Sequence, residues 1–302
     1  MVDDPFGIFY NNECLAETSE DVIETRAYLK TWQTEKYSSF IFGNSRANGF
    51  SEDVWRKHIG QETIFKYNSP GESVLNIKKK LALILSKQSI KNALILIDDG
   101  ILENTNNRHR FYQGPVYNHT PITSNISYIN FYGNYIKYYF DNFFFLKHIY
   151  YKLTSNYKNS WMKNAFKDPS SIKETIKPLT YESLQDSLIE TNFLLYKQKF
   201  KPDYSFFKKK IKTVSFEDSL HLIEIKKLLE ESKVDYKIII PPDFNKLKIE
   251  PAMYVTLESI FSTYLFDFSG ISRISTDSTL NYENLHFTKK AGAILLDSIY
   301  HH

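Results

Sequence analysis

The feature that most constrains the fold is a repeat of short apolar strands, each of which ends in a polar turn. The first hundred residues contain three such strands, at 37–44 (YSSFIFGN), 63–68 (TIFKYN) and 93–97 (ALILI). Helices are predicted to follow the first two strands, beginning near Ser51 and Ser73. The third strand is entirely aliphatic, which is typical of a strand that is covered on both faces. This alternation predicts a parallel, doubly wound α/β sheet.

The regular pattern lapses between residues 101 and 212 and then resumes. The irregular stretch contains two helix candidates, Tyr135 to Lys152 and Tyr181 to Lys199, and is predicted to be a helical, aromatic-rich insertion or cap. Three helices and two strands are predicted in the later segment. They are a helix from Phe216, a strand at 236–240, a short helix at 252–263, a strand at 264–268 and a final helix at 288–300. Residues 1–100 and 213–302 are therefore expected to form one α/β core.

Composition excludes some classes of function. Lys and Arg total 38 against 35 Asp and Glu, so a net charge of +3 gives no basic field of the kind expected for nucleic-acid binding. Cys14 is the only cysteine, so neither an internal disulfide nor a cysteine metal cage is available. The sequence contains no His-x-x-x-His spacing, Walker loop or Gly-x-Gly-x-x-Gly turn, and neither a metal nor a nucleotide cofactor is predicted.

The sequence contains no membrane-spanning signal. No apolar run reaches about 18 residues, and the first residues, MVDDPFGIFYNN, lack the basic and apolar regions of a signal peptide. The chain is expected to behave as a soluble protein, and an anchor outside this sequence is left open.

The aromatic tract at 129–145 has two interpretations. Its rings could stack on sugars or lie at a membrane interface, or they could be buried against the main domain.

Four polar breaks follow the strands of the predicted sheet. They are Gly43-Asn44-Ser45, Asn68-Ser69-Pro70-Gly71, Asp98-Asp99-Gly100 and the segment that leads to His286. Ligands of open α/β sheets bind beyond the carboxyl ends of the strands. Ser45 could act there as a nucleophile if His286 takes its proton and Glu283 orients the histidine. Each residue alone also has an ordinary structural interpretation, as a turn serine or a structural histidine.

Together these blocks resemble the SGNH (GDSL-like) hydrolase family. Phe42-Gly43-Asn44-Ser45-Arg46 is similar to the family's serine block, and Glu283-Asn284-Leu285-His286 is similar to its Asp-x-x-His block. The resemblance implies a flavodoxin-like, three-layer α/β/α core with a parallel sheet of about five strands and a helical insertion. It also implies a triad of Ser45, His286 and Glu283, with the peptide N–H groups of Ser45 and Gly71 as the oxyanion hole.

The chain departs from the family pattern in two places. Glu283 stands where the family usually has Asp. Asp98 stands where a Gly-x-Asn-Asp block usually supplies an asparagine donor, and an ionised Asp98 can only accept hydrogen bonds. Three alternatives are open: another group supplies the donor, Asp98 is protonated, or transition-state stabilisation is weaker by roughly 2.7–4 kcal/mol.

A narrower resemblance is to cell-envelope SGNH-like proteins that carry a Ser-Arg pair. Three segments support it: Asp4-Pro5-Phe6-Gly7-Ile8-Phe9, Ile41-Phe42-Gly43-Asn44-Ser45-Arg46 and Ile240-Pro241-Pro242. It implies an extracytoplasmic location, an acylated carbohydrate or small ester as substrate, a membrane tether outside this sequence and a membrane-bound acyltransferase as partner. Asn44, Arg46, Asp98 and Asp99 are candidate substrate-binding residues. Arg46 could bind an anionic group or hold a backbone carbonyl.

Two insertion histidines, His109 and His119, are expected in an exposed basic loop, with a contact to polymer or phosphate as the alternative.

The expected function is that of a serine esterase or O-acyltransferase. One alternative is a non-catalytic SGNH-like binding or assembly protein. Another is an unrelated α/β protein in which these motifs coincide by chance, with Ser45 far from His286.

Overall fold

The computed structural model describes residues 4–8, 19–103, 119–140, 144–162 and 213–301. Five strands form one sheet, with β1 at Ser39–Phe42, β2 at Ile64–Lys66, β3 at Asn92–Leu96, β4 at Asp235–Ile240 and β5 at Leu265–Asp267. All neighbouring pairs are parallel, and the strand order is β2-β1-β3-β4-β5. This is the flavodoxin-like order. The predicted α/β class and strand number are confirmed.

The α-helices of the described residues are numbered here in chain order. They are α1 Glu20–Glu35, α2 Glu52–Ile59, α3 Val74–Leu85, α4 Asp99–Glu103, α5 Tyr128–Phe140, α6 Phe144–Thr154, α7 Asn159–Met162, α8 Phe216–Glu231, α9 Pro251–Phe261, α10 Arg273–Thr276 and α11 Lys289–Tyr300. Side-chain caps mark several helix starts, including those of α3, α8 and α11. The hydroxyl oxygens of Ser73, Ser215 and Thr288 each accept a hydrogen bond from the backbone N–H three residues later.

Helices cover both faces of the sheet. The connection from β1 to β2 runs toward one edge and the later connections run toward the other, so right-handed crossovers place α2 opposite α3, α8 and α9. In agreement, α3 packs on α8 and α8 on α9, whereas α2 packs on α11. Leu94, Ile95 and Ile238 are fully buried between these layers. The sheet is thus a rigid support for the loops at its carboxyl edge.

Helix α1 is an element that the sequence pattern did not predict. Its buried residues are Asp21, Val22, Thr25 and Tyr28, a mixture of polar and apolar types that forms no apolar stripe. The Tyr28 ring lies 5.8 Å from the Phe40 ring and 5.7 Å from the Phe65 ring, measured between centroids. This contact attaches α1 to the β1–β2 side of the sheet.

The described part of the insertion forms a small aromatic cluster. The single helix predicted at Tyr135 to Lys152 is two helices, α5 and α6, and the candidate at Tyr181 to Lys199 lies outside the described residues. Phe131, Tyr135 and Phe144 are buried, with Phe6 stacked on Phe144 at 5.0 Å. Other members of the tract, such as Ile129 and Phe140, are exposed. Within the described ranges, no helix combines the length and apolar character needed to cross a bilayer.

Candidate active site

A sharp turn places Ser45 at the carboxyl end of β1. Gly43 has a φ of +148°, and a Cβ at this position would lie 3.0 Å from Leu96 Cβ and 3.1 Å from Ala47 Cβ. Only glycine fits this conformation and this space without strain. A 3₁₀-helix, Ser45–Gly49, begins at once, and the Asn44 side-chain oxygen accepts a 3.0 Å hydrogen bond from the Arg46 N–H.

A tight loop presents the histidine from the other end of the chain. Asn281 and Phe287 form an isolated antiparallel bridge, and the Tyr282 N–H donates to the His286 carbonyl at 2.8 Å. The loop between them carries Glu283, and α11 begins directly afterwards at its Thr288 cap. This hairpin-like closure directs the Glu283 and His286 side chains toward each other.

The structure brings together the three residues predicted as a triad. Ser45 Oγ lies 2.8 Å from His286 Nε2, and His286 Nδ1 is hydrogen-bonded to Glu283 Oε1. A carboxylate can only accept, so Nδ1 carries the proton and Nε2 accepts from the Ser45 hydroxyl. The hydrogen bond from His286 lowers the pKa of Glu283, which keeps this carboxylate ionised. The extra methylene of Glu therefore does not prevent the contact. If the motifs coincided by chance, Ser45 was expected to lie far from His286. The structure does not show such a separation.

Two glycines set how closely the serine and histidine segments approach. A Cβ on Gly292 of α11 would lie 2.0 Å from the Gly49 carbonyl oxygen, and a Cβ on Gly49 would lie 2.2 Å from the Phe287 ring. The start of α11 thus rests directly on the 3₁₀-helix that carries Ser45. Backbone contact at this point brings side chains 241 residues apart into hydrogen-bond distance.

Asp98 is the centre of a second network at the carboxyl edge. Its carboxylate accepts from Asn44 Nδ2 at 3.0 and 2.9 Å, from Arg46 Nη1 at 3.1 Å and from the Ile101 N–H at 3.0 Å. All these partners are donors, so Asp98 serves as an acceptor. It does not provide the donor that the asparagine of a Gly-x-Asn-Asp block would supply at this position.

Arg46 is a buried structural side chain. It pairs with Asp98, with side-chain exposures of 10% and 9%, and its Nη2 donates to the Pro242 carbonyl. Of its two interpretations, the structure shows the one in which Arg46 holds a backbone carbonyl. Burial raises the pKa of nearby Asp243, while the Arg46 charge opposes that rise. Asp99, the remaining substrate-binding candidate, begins α4 and is half-buried.

The predicted oxyanion loop lies directly beside the serine turn. The Ser69 N–H donates to the Gly43 carbonyl at 3.2 Å, and Asn68 Nδ2 donates to the Asn44 carbonyl at 3.3 Å. Gly71 has a φ of +71°, a left-handed conformation that favours glycine. The loop is positioned to take part in the site, and the oxyanion role of Gly71 stays a prediction.

A buried charge cluster behind this loop was not predicted. Lys80 Nζ lies 2.9 Å from Asp21 Oδ1 and 2.6 Å from Glu72 Oε2, and all three side chains are fully buried. His119 joins them, with Nε2 3.0 Å from the Gly71 carbonyl oxygen. The prediction that His119 lies in an exposed basic loop is wrong, because it is 4% exposed and contacts Gly71 of the predicted oxyanion loop. His109 lies outside the described residues.

Two further features lie apart from the triad. A surface cavity of about 670 Å³ adjoins the amino end of the strands; its lining residues include Trp32, Tyr37 and Gln88. His58, Asp297 and His301 place possible metal ligand atoms within 4.8 Å of one another on α2 and the end of α11. His58 already pairs with Asp297 at 3.2 Å and stacks on Tyr300, so this group is held together without an ion.

Comparison with protein-family models gave no match, and a search of curated proteins found no significant relative.

Proposed function

We propose that this protein is an SGNH-type serine esterase or O-acyltransferase that acts on an acylated carbohydrate of the cell envelope. The observation that carries the proposal is the hydrogen-bonded chain from Ser45 Oγ through His286 to Glu283. In this arrangement the serine hydroxyl is hydrogen-bonded to a neutral imidazole, and a carboxylate holds the other ring nitrogen. Such a hydroxyl is activated for nucleophilic attack. The extracytoplasmic location and the carbohydrate substrate rest on the narrower resemblance of the serine block.

The geometry supports a two-step acyl transfer. Ser45 Oγ bonds to the ester carbonyl carbon while its proton moves to His286 Nε2, and the carbonyl oxygen becomes an oxyanion. Collapse of this intermediate breaks the bond to the alcohol, which leaves with the proton from His286 and generates acyl-Ser45. Water or a sugar hydroxyl then gives its proton to His286 and bonds to the acyl carbon. The bond between that carbon and Ser45 Oγ breaks, and Oγ takes the proton back from His286. Water as acceptor gives hydrolysis, and a sugar hydroxyl gives transfer.

Backbone groups are the proposed oxyanion donors. The N–H groups of Ser45 and Gly71 would stabilise the oxyanion, since the Asp98 side chain offers acceptors to Asn44 and Arg46. Without the asparagine donor of the Gly-x-Asn-Asp block, we expect transition-state stabilisation weaker by roughly 2.7–4 kcal/mol than in a site that has every donor.

Covalent labelling of Ser45 tests the proposal. A fluorophosphonate probe should label the wild-type protein at Ser45, and the protein should hydrolyse a small acetyl ester. Ser45→Ala should abolish both, whereas Ser51→Ala, at the turn before α2, should change neither. A folded wild-type protein that is neither labelled nor active would refute the enzymatic proposal.

Asp98 favours a second candidate, a non-catalytic SGNH-like binding or assembly protein. Its ion pair with Arg46 replaces a catalytic donor by a structural contact. Binding of an O-acetylated polysaccharide without release or transfer of acetate, together with an unlabelled Ser45, would support this alternative. Release of acetate, or its transfer to a second glycan, would support the enzyme and distinguish hydrolysis from transfer.

A further inference from the structure

The loop predicted to hold the oxyanion is fixed from behind at several points. Ser69 Oγ donates to Glu72 Oε2 at 3.1 Å, and Lys80 Nζ donates to the same oxygen at 2.6 Å. His119 contacts the Gly71 carbonyl at 3.0 Å. Apart from the Ser69–Glu72 bond within the loop, these contacts come from α3 and from the insertion, so distant parts of the chain hold the loop.

The surroundings of His119 favour a proton on each ring nitrogen. Nε2 faces a carbonyl oxygen of Gly71, which can only accept, and Nδ1 lies 3.5 Å from Asp21 Oδ1. Asp21 is itself an acceptor, because its other oxygen takes hydrogen bonds from the Thr120 N–H at 2.8 Å and from Thr123 Oγ1 at 2.5 Å. A hydrogen on Nε2 satisfies the Gly71 carbonyl, and a second hydrogen on Nδ1, which gives the imidazolium form, adds a charge pair with Asp21 at ion-pair distance.

The charged groups around His119 agree with a cationic ring. Asp21 faces it from α1, Glu72 from the loop and Lys80 from α3. Burial alone would lower the pKa of His119, but Asp21 and Glu72 outweigh it and raise that pKa above its usual value. Two acids and two bases form the buried cluster, so its fully ionised form has no net charge.

We propose that His119 is a positioning residue for the ester chemistry. As a buried imidazolium, His119 holds the Gly71 carbonyl and thereby fixes the oxyanion loop beside Ser45. This inference rests on the proposed function, because the loop matters only if Ser45 forms an oxyanion. It assigns a role to a residue of the insertion, which would connect the insertion to the catalytic edge.

A positioning role predicts a distinctive kinetic change. Displacement of an oxyanion donor acts on the transition state, so kcat should fall while KM changes little. We expect His119→Ala to lower kcat about 10- to 100-fold, within the loss that misplacement by about 1 Å can cause. In the wild type, kcat should also decline as alkaline pH removes a proton from His119.

His119→Gln separates the charge from the hydrogen bond. Its amide can donate to the Gly71 carbonyl but does not ionise, so it should retain more activity than His119→Ala and lose the alkaline decline. His148→Gln is the matched control, since His148 is equally buried but bonds to the Tyr139 hydroxyl at 3.0 Å. It should preserve both kcat and the pH profile.

Nitrogen-15 NMR of the wild-type histidines tests the same point without a variant. Both His119 ring nitrogens should be protonated at neutral pH, and their titration should coincide with the alkaline decline in kcat. A singly protonated ring at the pH of full activity would overturn the inference, as would an unchanged kcat and pH profile in His119→Gln. If wild-type Ser45 is neither labelled nor active, the proposed function fails first. Failure of the inference alone leaves an active enzyme.

Discussion

The hydrogen bond between Glu283 and His286 fixes which ring nitrogen carries the proton. Glu283→Gln places an amide N–H where His286 Nδ1 needs an acceptor, which favours the tautomer that cannot take the Ser45 proton. Loss of the correct tautomer lowers kcat about 10⁴-fold in comparable triads. We expect a fall of this size, measured with a small ester at neutral pH, with KM little changed. Glu230→Gln, on the exposed face of α8, should have no effect. A fall of less than tenfold would show that Glu283 does not orient the histidine.

The Arg46–Asp98 pair is predicted to be structural. Asp98→Asn leaves the buried guanidinium of Arg46 without its carboxylate, and removing one member of a buried pair destabilises a protein by about 3–5 kcal/mol. Urea unfolding should detect this loss. Asp53→Asn breaks an ion pair whose carboxylate is 85% exposed and should change stability by about 1 kcal/mol or less.

A double-mutant cycle completes this test. If the pair is structural, Arg46→Met combined with Asp98→Asn should be less destabilising than the sum of the two single changes. Equal stability of Asp98→Asn and wild type would contradict the structural role.

Single residues differ in how far the sequence could reveal them. Ser45, Glu283 and His286 belong to short blocks at recognisable places in the strand–helix pattern, so their meeting could be predicted. The partners of Asp98 could not, because Arg46 and Asn44 occupy the serine block and nothing in the sequence indicates that they turn toward β3. Long charged side chains are usually exposed, and pattern alone gives no sign of the exceptions.

At the scale of elements, the contact of α11 with the serine 3₁₀-helix determines the geometry of the triad. A methyl group on Gly292 would lie 2.0 Å from the Gly49 carbonyl oxygen, so Gly292→Ala must displace one element from the other. Overpacking of this kind costs about 1–3 kcal/mol. We expect Gly292→Ala to lower both the thermal midpoint and kcat, since His286 directly precedes α11.

Gly133→Ala is the matched control for this prediction. Gly133 lies within α5, and nothing lies within 4 Å of a Cβ added there. Alanine should therefore preserve activity and stabilise the helix by up to about 1 kcal/mol. If Gly292→Ala folds with wild-type kcat, the close approach of α11 does not set the triad distance.

Helices and strands could be predicted from the sequence where the spacing of apolar residues agrees with a capping residue or a turn. Helices α3 and α8 follow serine caps, and β3 is a continuous aliphatic run, so their position is evident from the sequence. The close packing at Gly49 and Gly292 is not evident, because a helical glycine looks the same whether its missing side chain faces solvent or another backbone. Helix α1 escaped prediction because Asp21 and Thr25 lie on its buried face.

At the scale of the whole molecule, the strand–helix alternation specifies the α/β class and leaves few topologies to consider, which is why the sheet was predictable. The buried cluster of Asp21, Glu72, Lys80 and His119 was not. Its members come from separate segments, and each appears in sequence as an ordinary surface residue. Only the assembled chain brings two acids and two bases together, and their mutual attraction offsets the free energy of burying them.

This cluster predicts the pH dependence of stability. Burial would raise the pKa of Asp21, but Lys80 and His119 lower it, so its contribution is present above its ordinary value of 3.8 and is lost as pH falls. The pKa of His119 is raised, so its contribution is complete below its ordinary value of 6.5 and is lost as pH rises through the folded-state pKa. Burial raises the pKa of Glu72, so the contribution of Glu72 to stability also declines as the pH rises. The free energy of unfolding, measured with urea, should therefore decline on both sides of a maximum at mildly acidic pH.

Lys80→Met tests whether the cluster sustains that maximum. Removing the ammonium leaves two buried carboxylates with His119 as their remaining cation in the cluster, and the free energy of unfolding should fall by about 3–5 kcal/mol at pH 7. Protonation of Glu72 would relieve part of this excess negative charge, so the variant should gain stability as the pH is lowered from 7 to 5. Lys79→Met, at the neighbouring and more exposed position of α3, should keep the wild-type pH profile. A Lys80→Met variant with wild-type stability would show that the cluster is not needed to hold α1, α3 and the predicted oxyanion loop together.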